Sequence, residues 1–171
     1  MFVFLATPLR QEEIWEEYHK GLQDILGLVL SGDEGKKLLT RAKQCPFFIQ
    51  PVFRQDGFFT LVSQFQLPSY FMLAYLEDFK IDASNAQPLV TFSVYDELVP
   101  THNVTLVRGQ ILNKSIQQEE GEKVIQRMID VYRNDDEFEN VRAFNQTPDK
   151  FDFDDYISRQ NAKWHERSLD K

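Results

Sequence analysis

The chain has 171 residues, 42% hydrophobic and 27% charged, which suits one domain with a buried core, since domains usually run ~100–150 residues. Lys and Arg number 19 against 27 Asp and Glu, a formal net charge of −8, and this acidic balance argues against a nucleic-acid or anionic-membrane binder. The single cysteine, Cys45, excludes an intramolecular disulfide framework and suits a reducing compartment.

No stretch reads as a membrane span: wholly apolar runs such as Phe2 to Ala6 and Leu28 to Leu30 fall far short of the ~18 consecutive apolar residues required. Phe2 to Ala6 also lacks the basic flank of a signal peptide. The chain is therefore expected to be either cytosolic or a mature or trimmed form without its targeting segment. A first helix is predicted from about Thr7 to Leu30, with Thr7 as N-cap and Pro8 in the first turn. Trp15, Tyr18, Leu22, Ile25 and Val29 supply an apolar stripe, and the early glutamates face the positive end of the helix dipole. Gly21 and Gly27 weaken its second half. Ser31 to Gly35 breaks the chain, and a short helix from about Glu34 to Lys43 follows.

Strands come next. From Pro46 to Leu76 there are two charges, Arg54 and Asp56, and seven phenylalanines. Phe47 to Phe53 reads as the first strand, Arg54-Gln-Asp-Gly57 as a hairpin turn, and Phe58 to Gln66 as its antiparallel return. Tyr70 to Phe79, Leu89 to Val94 and Val104 to Leu112 complete the series, with Gly109 marking a bulge or a close backbone approach. Tyr95 to Val99 reads as a helical turn stopped by Pro100. A long helix runs from about Ser115 to Tyr132, capped by Ser115 or Asn113, with Val124, Met128, Ile129 and Tyr132 as its apolar stripe. Phe138 to Phe144 reads as a weaker sixth strand, and Thr147-Pro148 opens a closing helix to about Gln160. The pattern predicts an α+β fold: an antiparallel sheet of about five or six strands packed with three main helices, N-terminal, middle and C-terminal. It forms a single domain over 1–160, with 161–171 a polar, frayed tail.

Chemistry-bearing motifs are sparse. His19, His102 and His165 have no Cys, His, Asp or Glu at metal-ligand spacing. Cys45 reads as a buried structural thiol with no partner base in view. There is no phosphate loop, dinucleotide fingerprint or nucleophile elbow. Asp152, Asp154 and Asp155 suit a helix start better than a calcium loop. No catalytic residue, metal or cofactor is expected. The aromatic strands, however, carry apolar residues on both parities. Phe71, Leu73 and Tyr75 oppose Tyr70, Met72 and Ala74; Phe59, Leu61 and Phe65 oppose Phe58 and Val62. An antiparallel sheet with one wet face should alternate apolar and polar. Either the helices cover both faces, or one face is left for something else to cover.

Thr7 to Tyr18, with Glu13-Ile-Trp15 and Tyr18, then Arg41-Ala42, Cys45-Pro46, Phe48, Pro51, Arg54 and Gly57-Phe-Phe59 follow one another in a distinctive order. Gln64-Phe65, Tyr95 to Leu98, Val104-Thr-Leu-Val107 with Gly109, Val141 to Asn145 and Pro148-Asp-Lys-Phe151 continue it. Together they resemble the family of the mitochondrial ATP synthase assembly factor that chaperones the β subunit, over roughly residues 7 to 158. Ala83-Ser84 replaces that family's Gly-Glu pair, and Gln110 stands where it usually has glutamate. The resemblance implies an assembly chaperone and no enzyme. Such a protein binds the unassembled β subunit in the mitochondrial matrix, prevents its aggregation and yields it to the α subunit.

On that reading the partner is the β subunit, with no nucleic acid and no membrane insertion, and the free chain is monomeric. The covering surface is expected on the aromatic sheet around Phe58, Phe59, Tyr70, Phe71 and Met72. The competing reading makes those residues core and gives the contact to the helices or the acidic ends. A different function class, a small-ligand carrier or enzyme with an apolar cavity under the sheet, would draw on Tyr95, His102 and Arg108.

Overall fold

The computed structural model describes residues 8–166, with side chains from Gln11 onward. Six strands form one sheet: β1 Ile25–Ser31, β2 Phe47–Arg54, β3 Gly57–Gln66, β4 Tyr70–Tyr75, β5 Pro88–Tyr95 and β6 Val104–Ile111. Their spatial order is β1-β6-β5-β4-β3-β2, and every neighbouring pair is antiparallel. The described residues also form α1 Pro8–His19, α2 Gly32–Gln44, α3 Leu76–Ile81, α4 Val99–His102, α5 Gln118–Arg133, α6 Asp135–Gln146 and α7 Phe153–Glu166. The class is α+β as expected, with more than three helices.

The first helix ends at His19, well short of Leu30. Gly21 (φ +80°) and Asp24 (φ +60°) turn the chain through left-handed conformations, and Ile25–Ser31 becomes a strand paired residue for residue with β6. This run is apolar on both parities, which suits a strand beside a packed sheet better than a helix with one wet side. Tyr18, assigned to the apolar stripe, is exposed. Trp15 does reach the sheet, donating its indole N–H to the Val107 carbonyl at 3.2 Å. The glutamates of α1 lie outside its first turn, so they miss the positive end of the dipole. Thr7, the expected cap, lies outside the described residues.

Other boundaries moved for local reasons. β4 stops at Tyr75, and Leu76–Ile81 turns into α3, whose Glu77 and Asp78 occupy the first turn, where acids are stabilising. Pro100 opens α4 instead of stopping a turn, because the first helical turn needs no N–H from it. α5 is capped by Gln117 in a reciprocal capping box with Glu120, not by Ser115 or Asn113. Phe138 to Phe144 is helical, not a strand: Asn134 accepts from the Glu137 N–H at 3.1 Å, and three acids fill the first turn of α6. The sixth strand is β1. α7 begins where Asp152 accepts from the Asp155 N–H at 3.0 Å. It continues beyond Gln160, with Trp164 buried.

The hairpin is as expected: Arg54 pairs with Gly57 across a two-residue loop, and the positive φ, +147°, falls on Gly57. On the first face of the sheet Phe48, Leu61, Phe71, Leu73, Val90, Phe92 and Val107 are buried with Val124, Ile125, Met128 and Tyr132 of α5. α2, α5, α6 and α7 pack on this side or against β2. Gly109 is a close approach, since a Cβ there would overlap Ile125. On the second face α1 packs on β1 and β6, and α3 on β3 and β4. Between them the surface is mixed: Tyr70, Met72, Gln64 and Ser93 are half-buried, and Arg108 and Gln110 are exposed.

Two stability predictions arise from this packing. Gly35 on α2 lies against Thr105, whose branched side chain fills the space of a Cβ. Gly35→Ala is expected to destabilise by ~1–3 kcal/mol through overpacking, read as a lower urea midpoint. Arg127 on α5 donates to Glu137 and to Gln160, both at 2.8 Å, and Lys163 also bonds Glu137. These contacts tie α5, α6 and α7 together. Burial pushes the Glu137 carboxyl up, but the Lys163 and Arg127 bonds outweigh it and hold the group below its ordinary value. A carboxyl whose pKa is lower folded than unfolded stabilises the fold above the unfolded value. That contribution is lost as pH falls through the folded value. Glu137→Gln should therefore lower the urea midpoint at pH 7, and the gap to the parent should close below about pH 4.

Candidate functional site

The hairpin between β2 and β3 sets up an open, mostly apolar groove. Gly57 turns the chain, and Phe58 follows on the second face, its ring 5.7 Å from that of Phe53. Phe59 falls on the other parity, near the sheet edge. Its ring lies 5.5 Å from Tyr75 and 4.8 Å under the Arg54 guanidinium. Arg54 is itself fixed, donating to both Glu120 oxygens (2.7 and 2.9 Å) and to the Ser115 carbonyl at 2.6 Å. Tyr75 donates to the Ser115 hydroxyl at 3.0 Å. Burial pushes the Glu120 carboxyl up, but the Arg54 hydrogen bond, the Gln117 N–H and the nearby charges of Arg54 and Lys123 together hold the group below its ordinary value. A charged clamp thus holds one wall of an apolar groove.

The groove has a volume of about 710 Å³ and runs past Ile49, Phe58, Phe59, Leu76, Phe144 and Phe153, with Glu77, Asp78 and Lys80 of α3 at its rim. Phe58 is 49% exposed and Phe153 36%. Two large aromatics in one groove are thus left open to solvent, an uncommon exposure for a folded chain.

The five residues assigned to the covering surface divide. Phe58 and Phe59 line the groove. Tyr70 and Met72 share the second face but lie outside the groove, half-buried between α1 and α3. Phe71 is a correction: it is 0% exposed, stacked on Phe92 at 4.4 Å and edge-on to Tyr132 at 5.5 Å. The register places it on the first face with Leu73 and Phe65, so it is core. Phe144 and Phe153 were missed. Phe144 was read as part of a strand. Phe153 stands among Asp152, Asp154 and Asp155, and an aromatic embedded in acids at a helix start is the signal that could have exposed it.

Tyr95, His102 and Arg108 do not converge on this groove. His102 lies on α4, one ring nitrogen 2.7 Å from the Thr101 hydroxyl and the other 3.2 Å from the Gln11 amide. Tyr95 packs on Trp15 with centroids 6.0 Å apart. Cys45 is fully buried, and burial pushes its thiol above the ordinary value, opposed by Arg142; such a thiol is a weak nucleophile. Among the described residues no group of three His, Cys, Asp or Glu could hold a metal ion. No described helix is long and apolar enough to cross a membrane.

A comparison with protein families matches residues 7–157 to the family model described as ATP11 protein. This is the family of the mitochondrial ATP synthase assembly factor, and it is linked to ATP synthase assembly. No curated protein matches the chain.

Proposed function

We infer the function from one premise: the chain belongs to the ATP11 protein family. It acts as an assembly chaperone for the β subunit of the mitochondrial ATP synthase catalytic head, in the matrix, and carries out no bond chemistry. The observation that carries this reading is the groove beside the hairpin, with Phe58 and Phe153 open on its walls.

The physics is that of a temporary interface. An unassembled subunit exposes a surface meant for its permanent neighbour, and obligate interfaces are more apolar than ordinary surface. A chaperone covers that surface with aromatic contact area but must release it. Its affinity therefore lies below that of the α subunit, which displaces it by mass action. A groove of limited extent, rimmed by Glu77, Asp78 and Lys80, suits contact of this strength. Light scattering of isolated β subunit diluted from denaturant tests the reading. An equimolar amount of the chain should suppress the rise; an unaltered rise would count against it.

A further inference from the structure

β1 is an edge strand, paired with β6 alone. The Asp24 carbonyl accepts from Ile111, and the Gly32 N–H donates to the Asn103 carbonyl. The polar groups of this parity therefore turn inward, and antiparallel alternation sends those of Ile25, Gly27 and Val29 outward. These three residues are only half-buried, and their outward groups have no hydrogen-bond partner among the described residues. Folded proteins usually protect such an edge with Lys, Pro or a bulge. Ile25–Ser31 contains neither residue, and its pairing with β6 is uninterrupted.

A groove of about 780 Å³ runs beside the start of this edge. Glu13, Glu16 and Glu17 of α1 line it on the second-face side, and Glu122 of α5 comes from the first-face side. None of these four carboxylates is ion-paired among the described residues. Glu12 and Glu16, and Glu13 and Glu17, are like-charge pairs four residues apart, a spacing that destabilises a helix. His19 also lines the groove, 5% exposed. Its Nδ1 lies 2.7 Å from the Trp15 carbonyl, and its Nε2 is without a partner. A carbonyl only accepts, so Nδ1 carries a proton and donates it to Trp15.

The geometry points to β1 as the docking edge for an extended segment of a partner chain that carries Lys or Arg. The added strand satisfies the outward groups of Ile25, Gly27 and Val29. Its side chains alternate, one set toward the α1 carboxylates and the other toward Glu122, so basic residues are favoured on both parities. A second copy of this chain is the wrong occupant, since its own edge is flanked by the same acids and its net charge is −8. The inference is independent of the chaperone reading and of the groove beside the hairpin.

A peptide of about nine residues, a usual strand length, with lysines and valines in successive pairs so that lysines fall on both faces of the strand, is the probe, followed by fluorescence anisotropy and amide hydrogen exchange. A peptide of equal charge with proline in place of valine is the control. The lysine–valine peptide should bind, slow exchange at Ile25, Gly27 and Val29, and weaken with salt; the proline peptide should not protect these amides. Val29→Pro removes an outward N–H that the sheet does not use and should abolish the protection. The exposed double substitution Glu13→Lys/Glu17→Lys leaves the edge intact and should weaken binding about tenfold, through loss of two exposed charge pairs. Unprotected edge amides, equal binding of the proline peptide, or unchanged affinity in the double variant would overturn the inference.

Discussion

Phe71→Asp is expected to abolish the cooperative unfolding transition and leave a chain without native near-ultraviolet dichroism. The side chain is fully buried, stacked on Phe92 and packed against Phe65 at 4.9 Å and Tyr132 at 5.5 Å. Deleting a core phenylalanine ring alone costs ~3–5 kcal/mol. Placing an unpaired carboxylate in the same site adds several more. Domain stability is on the order of 5–15 kcal/mol, so the loss is comparable to the whole. Met72→Asp, one residue along and half-buried on the opposite face, should instead retain a sharp transition at a lower temperature. Thermal melts followed by circular dichroism decide it, and a Phe71→Asp melt within a few degrees of the parent would remove Phe71 from the core.

The second large effect is on binding. Phe58→Asp/Phe153→Asp places two carboxylates in the lining of the groove beside the hairpin. Both side chains are substantially exposed, and exposed substitutions change stability little, so the urea midpoint should move only slightly. Central aromatic anchors each contribute ~2 kcal/mol or more at a protein interface. The double variant should therefore bind β subunit at least ~100-fold more weakly. Tyr70→Asp, on the same face but outside the groove, should bind nearly as well as the parent. Equal losses in the two variants would move the contact to the middle of the sheet.

Much of the fold was legible because its signals are local. The prolines and Asp-Gly turn around Phe47 to Gln66 delimit a hairpin, the spacing of Val124, Met128 and Tyr132 marks α5, and Gly109 announces the close pass of Ile125. What misled was long-range. β1 followed a helical stripe closely enough to be absorbed into α1, since its strand identity comes from pairing with β6 some eighty residues away. Phe138 to Phe144 looked strand-like until Asn134 and its following acids were weighed as a helix start. At the site, Phe58 and Phe59 were legible as hairpin aromatics. Parity alone could not reveal that the Phe71 side faces α5 while the Phe58 side is covered only in part, by α1 and α3. Nor could it bring Phe144 and Phe153, from two later helices, alongside the hairpin.

The most direct measurement is gel filtration of the chain with purified, separated β subunit, before and after α subunit is added. A stoichiometric complex with β alone, dissolved by α as the αβ species forms, is the predicted result. Failure of the chain to co-migrate with β, or a complex that α leaves intact, would contradict the proposed role.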